Sequence, residues 1–122
     1  GDWLTAAQSK LGQAYVWGGK DPRTGMDCSG FTKWIYDLRG TNIGHGTYAQ
    51  HANSTPIDPK DAQPGDLVFY NMTSRDPHEQ HVAIYTGNGQ VIQSGGSARS
   101  VNQAPINQDV GSPPEFRRPK GQ

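Results

Sequence analysis

Two apolar runs, His81 to Thr86 and Gln90 to Ser94, meet across Gly87-Asn88-Gly89, which commits the middle of this chain to an antiparallel hairpin. Its register is the sharper question, because a slip of one residue turns every side chain to the opposite face. A two-residue turn at Asn88-Gly89 pairs Ile84 with Gln93 and sends His81 and Gln93 to opposite faces. A three-residue loop, Gly87 to Gly89, instead pairs Ala83 with Gln93 and Ile84 with Ile92, and gathers Val82, Ile84 and Ile92 on one face. Burial favours this second register. It makes His81 and Gln93 diagonal neighbours on a shared face, roughly 7 Å apart at the backbone and within side-chain reach.

The remaining elements are short and well punctuated. Trp3, Ala7 and Leu11 recur at steps of four, with Asp2 as N-cap and Gly12 as stop, which predicts a packing helix. A second helix begins at Asp27 and carries Phe31, Ile35 and Leu38 on one side with Trp34 beside them, until Gly40 ends it. Cys28 lies in its first turn. Between the helices, Tyr15-Val16-Trp17-Gly18-Gly19 and the polar turn from Lys20 to Gly25 read as a loop that can approach a ligand closely. Residues 41–64 read as mostly irregular, with at most a brief helix from Thr47 to Ala52. Pro64-Gly65-Asp66 turns into a strand, Leu67–Tyr70, which a long polar loop from Asn71 to Gln80 ends just before His81. Beyond Arg99 periodicity fades, and Ser112-Pro113-Pro114 through Pro119 reads as a tail or linker, so a domain over residues 1–105 and a tail over 106–122 are expected.

Composition removes several classes of function. Eleven basic residues balance eleven acidic ones without a block of like charge, so no footprint for nucleic acid or an anionic membrane exists. No apolar run is long enough for a membrane span. The start, Gly1-Asp2-Trp3, has neither an initiator methionine nor a signal-peptide pattern, as expected of an excised module or a processed chain. Sixteen glycines and nine prolines among 122 residues imply many turns around one modest core.

A single cysteine, Cys28, forbids an intrachain disulfide and sits within Asp27-Cys28-Ser29-Gly30 at a helix start. Thiolate chemistry needs a lowered thiol pKa, an imidazole within reach and a polar group that orients the ring. The helix terminus and an imidazolium at His81 are expected to favour the ionised thiol, and the amide oxygen of Gln93 can hold the far nitrogen of His81. Backbone N–H groups near Cys28, with the hydroxyl of Tyr15, could receive an oxyanion. Cys28, His81 and Gln93 are therefore the candidate catalytic residues. A metal reading of His78 and His81, with His45, His51 and Cys28 as further ligands, is disfavoured because His78-Glu79-Gln80-His81 lies on a proline-led loop and not on a helix that would fix both rings. No metal site and no cofactor are expected.

Four segments in order resemble the NlpC/P60 family of cell-wall cysteine peptidases. They are Leu11-Gly12 with Tyr15-Val16-Trp17-Gly18-Gly19, Asp27-Cys28-Ser29-Gly30-Phe31, Pro64-Gly65-Asp66-Leu67-Val68-Phe69, and His81-Val82-Ala83-Ile84-Tyr85 with Gly87-Asn88-Gly89. The resemblance implies an α+β, papain-like domain, its nucleophile helix packed against a central antiparallel sheet. It implies hydrolysis of an amide in peptidoglycan stem peptides, most often between D-γ-glutamyl and a diamino acid, through a thioester on Cys28 with His81 as base. Gln93 stands where the family usually places a histidine. Tyr15 matches a tyrosine that lines the family's site, and Asp27 and Ser29 match positions that contact the stem peptide in some members, which implies a short-peptide pocket built on all three. Many relatives carry an arginine in the stretch that here reads Ile43-Gly44-His45-Gly46-Thr47. The implied place of action is extracellular, periplasmic or at the cell wall, whether the module serves a bacterium's own wall, a conjugation system or a phage, and fusion to further domains is expected. Amidase or acyltransferase chemistry on the same scaffold and a non-catalytic wall-binding module are the alternatives.

Overall fold

The computed structural model describes residues 2–108 and 110–122. Its hairpin, β5 (His81–Gly87) and β6 (Gln90–Gly95), pairs Ile84 with Ile92 and Tyr85 with Val91, the register that burial demands. The connection differs from the expected three-residue loop. Asn88 and Gly89 form a two-residue turn with φ of 55° and 73°, Gly87 pairs with Gln90, and a bulge between Tyr85 and Gly87 absorbs the extra residue. A tight turn with positive φ at both central positions matches strand twist, so the chain keeps that turn and corrects the register one residue later.

This hairpin lies within a six-stranded antiparallel sheet whose remaining strands are β3 (Ser54–Pro56), β4 (Leu67–Tyr70), β7 (Ser100–Pro105) and β8 (Glu115–Pro119), in the order β3-β8-β4-β5-β6-β7. A separate two-stranded ribbon joins β1 (Lys20–Asp21) to β2 (Gly25–Met26). The segment expected to be a tail thus contributes an inner strand. Phe116 of β8 opposes Val68 and packs edge-on against Tyr85 at 5.2 Å, while Arg118 donates to both carboxylate oxygens of buried Asp66 at 2.8 and 2.9 Å. Alternating charge in Glu115-Phe116-Arg117-Arg118 concealed a strand that buries one large side chain and satisfies its arginines at the sheet. Strand β7 escaped sequence reading for a similar reason, since Val101 is its only fully buried residue.

Helix α2 (Cys28–Leu38) covers one face of the sheet, where Phe31 and Ile35 join Leu67, Phe69, Val82, Ile84 and Ile92. The opposite face carries Val68, Tyr70, Ala83, Val91 and Phe116, roofed by Ile57, Ala62, Ala104 and Ile106. Leu38, expected to face the core, is 56% exposed at the last turn of α2. Helix α1 (Trp3–Gln8) stops short of Leu11, which is likewise exposed, and Asp2 precedes it without a side-chain hydrogen bond to its backbone. The brief helix expected at Thr47 is α3 (Thr47–Ala52); its buried Gln50 donates to the carbonyls of Ser29 and Gly44 and accepts from Thr32, tying α3 to the start of α2. Residues 71–80 are pinned at both sides of the sheet's end. Thr47 donates to Gln80 at 2.8 Å, and the ring of His78 stacks on Trp17 with centroids 4.1 Å apart.

Candidate active site

Asp27 organises the start of α2. One carboxylate oxygen accepts from the Gly30 amide at 2.6 Å and from the Ser29 hydroxyl at 3.1 Å, and the other accepts from the Gly18 amide at 3.1 Å. The N-cap thereby joins the helix to the glycine-rich loop. Gly19 also accepts from the Asp27 amide at 2.8 Å, and its carbonyl lies so close to Gly30 that a Cβ there would overlap it. That approach explains why glycine follows Ser29. It places Tyr15 and Trp17 along the same cleft as Cys28.

At the far side, the first residue of β5 delivers His81. Its Nε2 lies 2.7 Å from Oε1 of Gln93, the diagonal contact that the hairpin register implies. Gln93 is fully buried and His81 nearly so. Gly95, with φ of 113°, packs its bare Cα against the two rings; a Cβ there would sit 3.2 Å from Tyr15 and 3.7 Å from Cε1 of His81. Tyr15, Cys28 and His81 line one cleft of about 770 Å³, together with Gly96, Arg99 and the stacked Trp17 and His78. A cavity of this size suits a short peptide. Because Gln93 occupies Nε2, Nδ1 is the ring nitrogen that this contact leaves open.

The electrostatics differ from expectation. Burial pushes the Cys28 thiol up to about 12; the amides of Val82, Ser29 and Cys28 itself act in the opposite direction, and the Asp27 carboxylate adds to the rise. The helix terminus does not offset removal from water. Burial likewise holds His81 below its ordinary value, with the Gln93 contact compensating in part. Both directions favour a neutral thiol and a neutral imidazole over the expected thiolate and imidazolium. Burial, followed by the thiolate that Cys28 becomes only in strong alkali and by the Asp27 carboxylate, raises Tyr15 to about 12, so its hydroxyl keeps its proton and can donate.

Asp27 and Ser29 are not among the residues that line the cleft. Both are buried under it: Ser29 donates to Asp27 and accepts from the Gly46 amide at 3.1 Å, and His45 Nε2 stands 3.2 Å from Asp27 Oδ1. His45 thus occupies the stretch in which the family's arginine is missing, paired with the N-cap carboxylate. The remaining histidines each have a carboxylate of their own, His51 with Glu115 and His78 with Asp76. Among the described residues no group of three or more His, Cys, Asp or Glu side chains could hold a metal ion. Sequence reasoning missed Asn102 and Gln108, both hydrogen-bonded to Gln93. The available signal was their spacing from the hairpin, which becomes readable only when β7 is recognised as a strand.

Residues 12–115 match the NlpC/P60 family. A probable endopeptidase p60 from Listeria innocua serovar 6a is 45% identical over 91 residues, 75% of this chain and 19% of that protein. A bifunctional muramidase/DL-endopeptidase CwlT from Bacillus subtilis is 41% identical over 86 residues, covering 70% of this chain and 26% of it, and a gamma-D-glutamyl-L-lysine dipeptidyl-peptidase from Bacillus cereus is 36% identical over 106 residues, covering 87% and 32%. The chain accordingly spans about a fifth to a third of these relatives. Among solved structures, the NlpC/p60 domain of the peptidoglycan hydrolase SagA superposes with a TM-score of 0.76 at 36% identity, covering 95% of this chain and 94% of that one. The α+β papain-like architecture expected from the sequence, a cysteine-bearing helix laid on an antiparallel sheet, is the architecture found. With the family's motifs, fold and extent all matched, the chain belongs to the NlpC/P60 family.

Proposed function

We propose that this domain hydrolyses an amide of peptidoglycan stem peptides, between D-γ-glutamyl and a diamino acid, with Cys28 as nucleophile, His81 as general base and Gln93 as the residue that orients the ring. The observation that carries this reading is the 2.7 Å contact of buried Gln93 with His81, which lines the same cleft as the chain's one cysteine. Starting from a neutral pair, the thiol proton passes to Nδ1 of His81 as sulfur attacks the carbonyl carbon. The developing oxyanion is received by the Cys28 amide at the head of α2 and by the Tyr15 hydroxyl. His81 then gives its proton to the leaving amine, and water attacks the thioester with His81 again as base. Proton transfer concerted with attack means that the buried sulfur never has to carry an isolated charge.

Tyr15 is the substrate-contact residue among those expected, since it lines the cleft, whereas Asp27 and Ser29 act from beneath by fixing the head of α2. The relatives' names, which include a DL-endopeptidase and a gamma-D-glutamyl-L-lysine dipeptidyl-peptidase, support the choice of bond. A wall-facing location outside the cytoplasm and attachment to further domains follow from the same reading, in keeping with the larger size of those relatives.

The test is digestion of purified sacculi carrying diaminopimelate or lysine stem peptides, with mass spectrometry of the products. New amino termini on the diamino acid are expected, and none with Cys28→Ala. Cleavage at the glycan–peptide junction, or binding to sacculi with no fragment released, would replace this reading with an amidase or a binding module.

A further inference from the structure

We propose that Asn102 is a positioning residue that sets the tautomer of His81 through Gln93, and that Gln108 reinforces it. The proposal rests on the reading of His81 as the base. A side-chain amide has two ends of similar shape and opposite polarity, so which end of Gln93 meets the imidazole determines where the ring carries its proton. The decision originates in β7. Asn102 Nδ2 donates to the backbone carbonyls of Gly95 and Ser100, each at 2.7 Å. Carbonyls only accept, so this amide has one orientation and presents Oδ1 to Gln93, its direct partner across β6 and β7.

That oxygen can only accept, and Gln93 Nε2, the donor end of the neighbouring amide, lies 3.2 Å away. The other end of Gln93, Oε1, is therefore the end 2.7 Å from His81 Nε2. An acceptor there requires Nε2 to carry the proton, which leaves the Nδ1 lone pair open to receive the thiol proton. Reversing Gln93 would bring its oxygen against Oδ1 of Asn102 and its N–H against Nε2, stabilising the tautomer with Nδ1 already protonated. That form cannot act as the base.

Gln108 has a different part. It donates to Gln93 Oε1 at 2.6 Å and accepts from Gln93 Nε2 at 2.7 Å. A reciprocal amide pair survives if both partners reverse together, so Gln108 adds strength without choosing a direction. Direction comes from Asn102, because backbone carbonyls cannot reverse.

Nitrogen-15 NMR of the imidazole in the native protein near pH 8 reads the tautomer without substrate or turnover. The expected pattern is a protonated Nε2 and a bare Nδ1 at His81. Asn102→Ala should populate both tautomers and lower kcat about tenfold, less than the ~100-fold or more expected when a general base is removed, with KM unchanged within about twofold. Gln108→Leu should retain the native tautomer with a smaller loss of kcat. A protonated Nδ1 in the native protein overturns the proposal without any variant. It is also overturned if folded Asn102→Ala keeps a pure Nε2–H signal, or if the tautomer follows Gln108 instead. Because the tautomer is measured apart from digestion, a protein that cleaves no sacculi would remove the functional reading while leaving this result to stand or fall by itself.

Discussion

At Cys28 two influences of opposite sign meet, and their relative size governs how the thiol reacts. Three backbone amides favour the thiolate, yet burial outweighs them and pushes the thiol up to about 12. Alkylation by iodoacetamide should consequently be slow at pH 7 and accelerate about tenfold per pH unit up to pH 9, following the thiolate fraction. A rate that levels off below pH 7 would instead reveal a resting ion pair. On the acid side, the proposed base must be neutral to work, and burial lowers His81, so kcat/KM should climb with pH through a midpoint below 6.5. The partnership of His81 with Gln93 was legible from residue types and pairing parity alone. The charge state of Cys28 was not, because a helix start is visible in a string of letters and the depth of the sulfur beneath Tyr15 and β5 is not.

The elements show where local signals suffice. Helix α2 announces itself through Asp27 as N-cap and the spacing of Phe31 and Ile35, and its first turn tolerates no side chain at the position facing Gly19. Gly30→Ala should therefore destabilise the domain by about 1–3 kcal/mol, since backbone rather than a pliable side chain would have to move. Chemical denaturation measures this, and an unchanged midpoint would show that the glycine-rich loop yields freely. The hairpin illustrates the converse limit. Its register was readable because Ile84 and Ile92 must be buried together, whereas the two-residue turn with its compensating bulge was not, since burial constrains which residues pair and says nothing of how the loop reconciles them. Strand β8 was invisible for want of apolar residues. Its one buried aromatic should nonetheless matter, with Phe116→Ala costing roughly 3–5 kcal/mol by the same measurement.

Across the whole molecule, the two buried reactive groups shape how stability varies with pH. His81 is held below 6.5, so under acidic conditions the unfolded chain takes up a proton that the folded one refuses, and stability falls as pH drops below about 6.5. Cys28 rises from 9.0 to about 12, so in alkali the folded protein keeps a proton that the unfolded chain releases, and stability falls as pH climbs above about 9. Denaturation midpoints across pH 5 to 10 should form a plateau between those limits, with the alkaline decline reduced in Cys28→Ala. An alkaline decline of equal size in that variant would place its origin elsewhere. The general plan of helix on sheet was readable because its motifs are local, but the sheet's order was not, as it depends on a strand more than forty residues from its neighbour β4.

The seat of β8 between β3 and β4 has a temporal consequence. During synthesis the ribosome exposes Cys28, His81 and Gln93 well before Glu115–Pro119, yet β3 has no partner in the sheet until those last residues arrive. A domain built in this way is completed late, and a protease that clips the chain ahead of β8 would take it apart without approaching its sulfur.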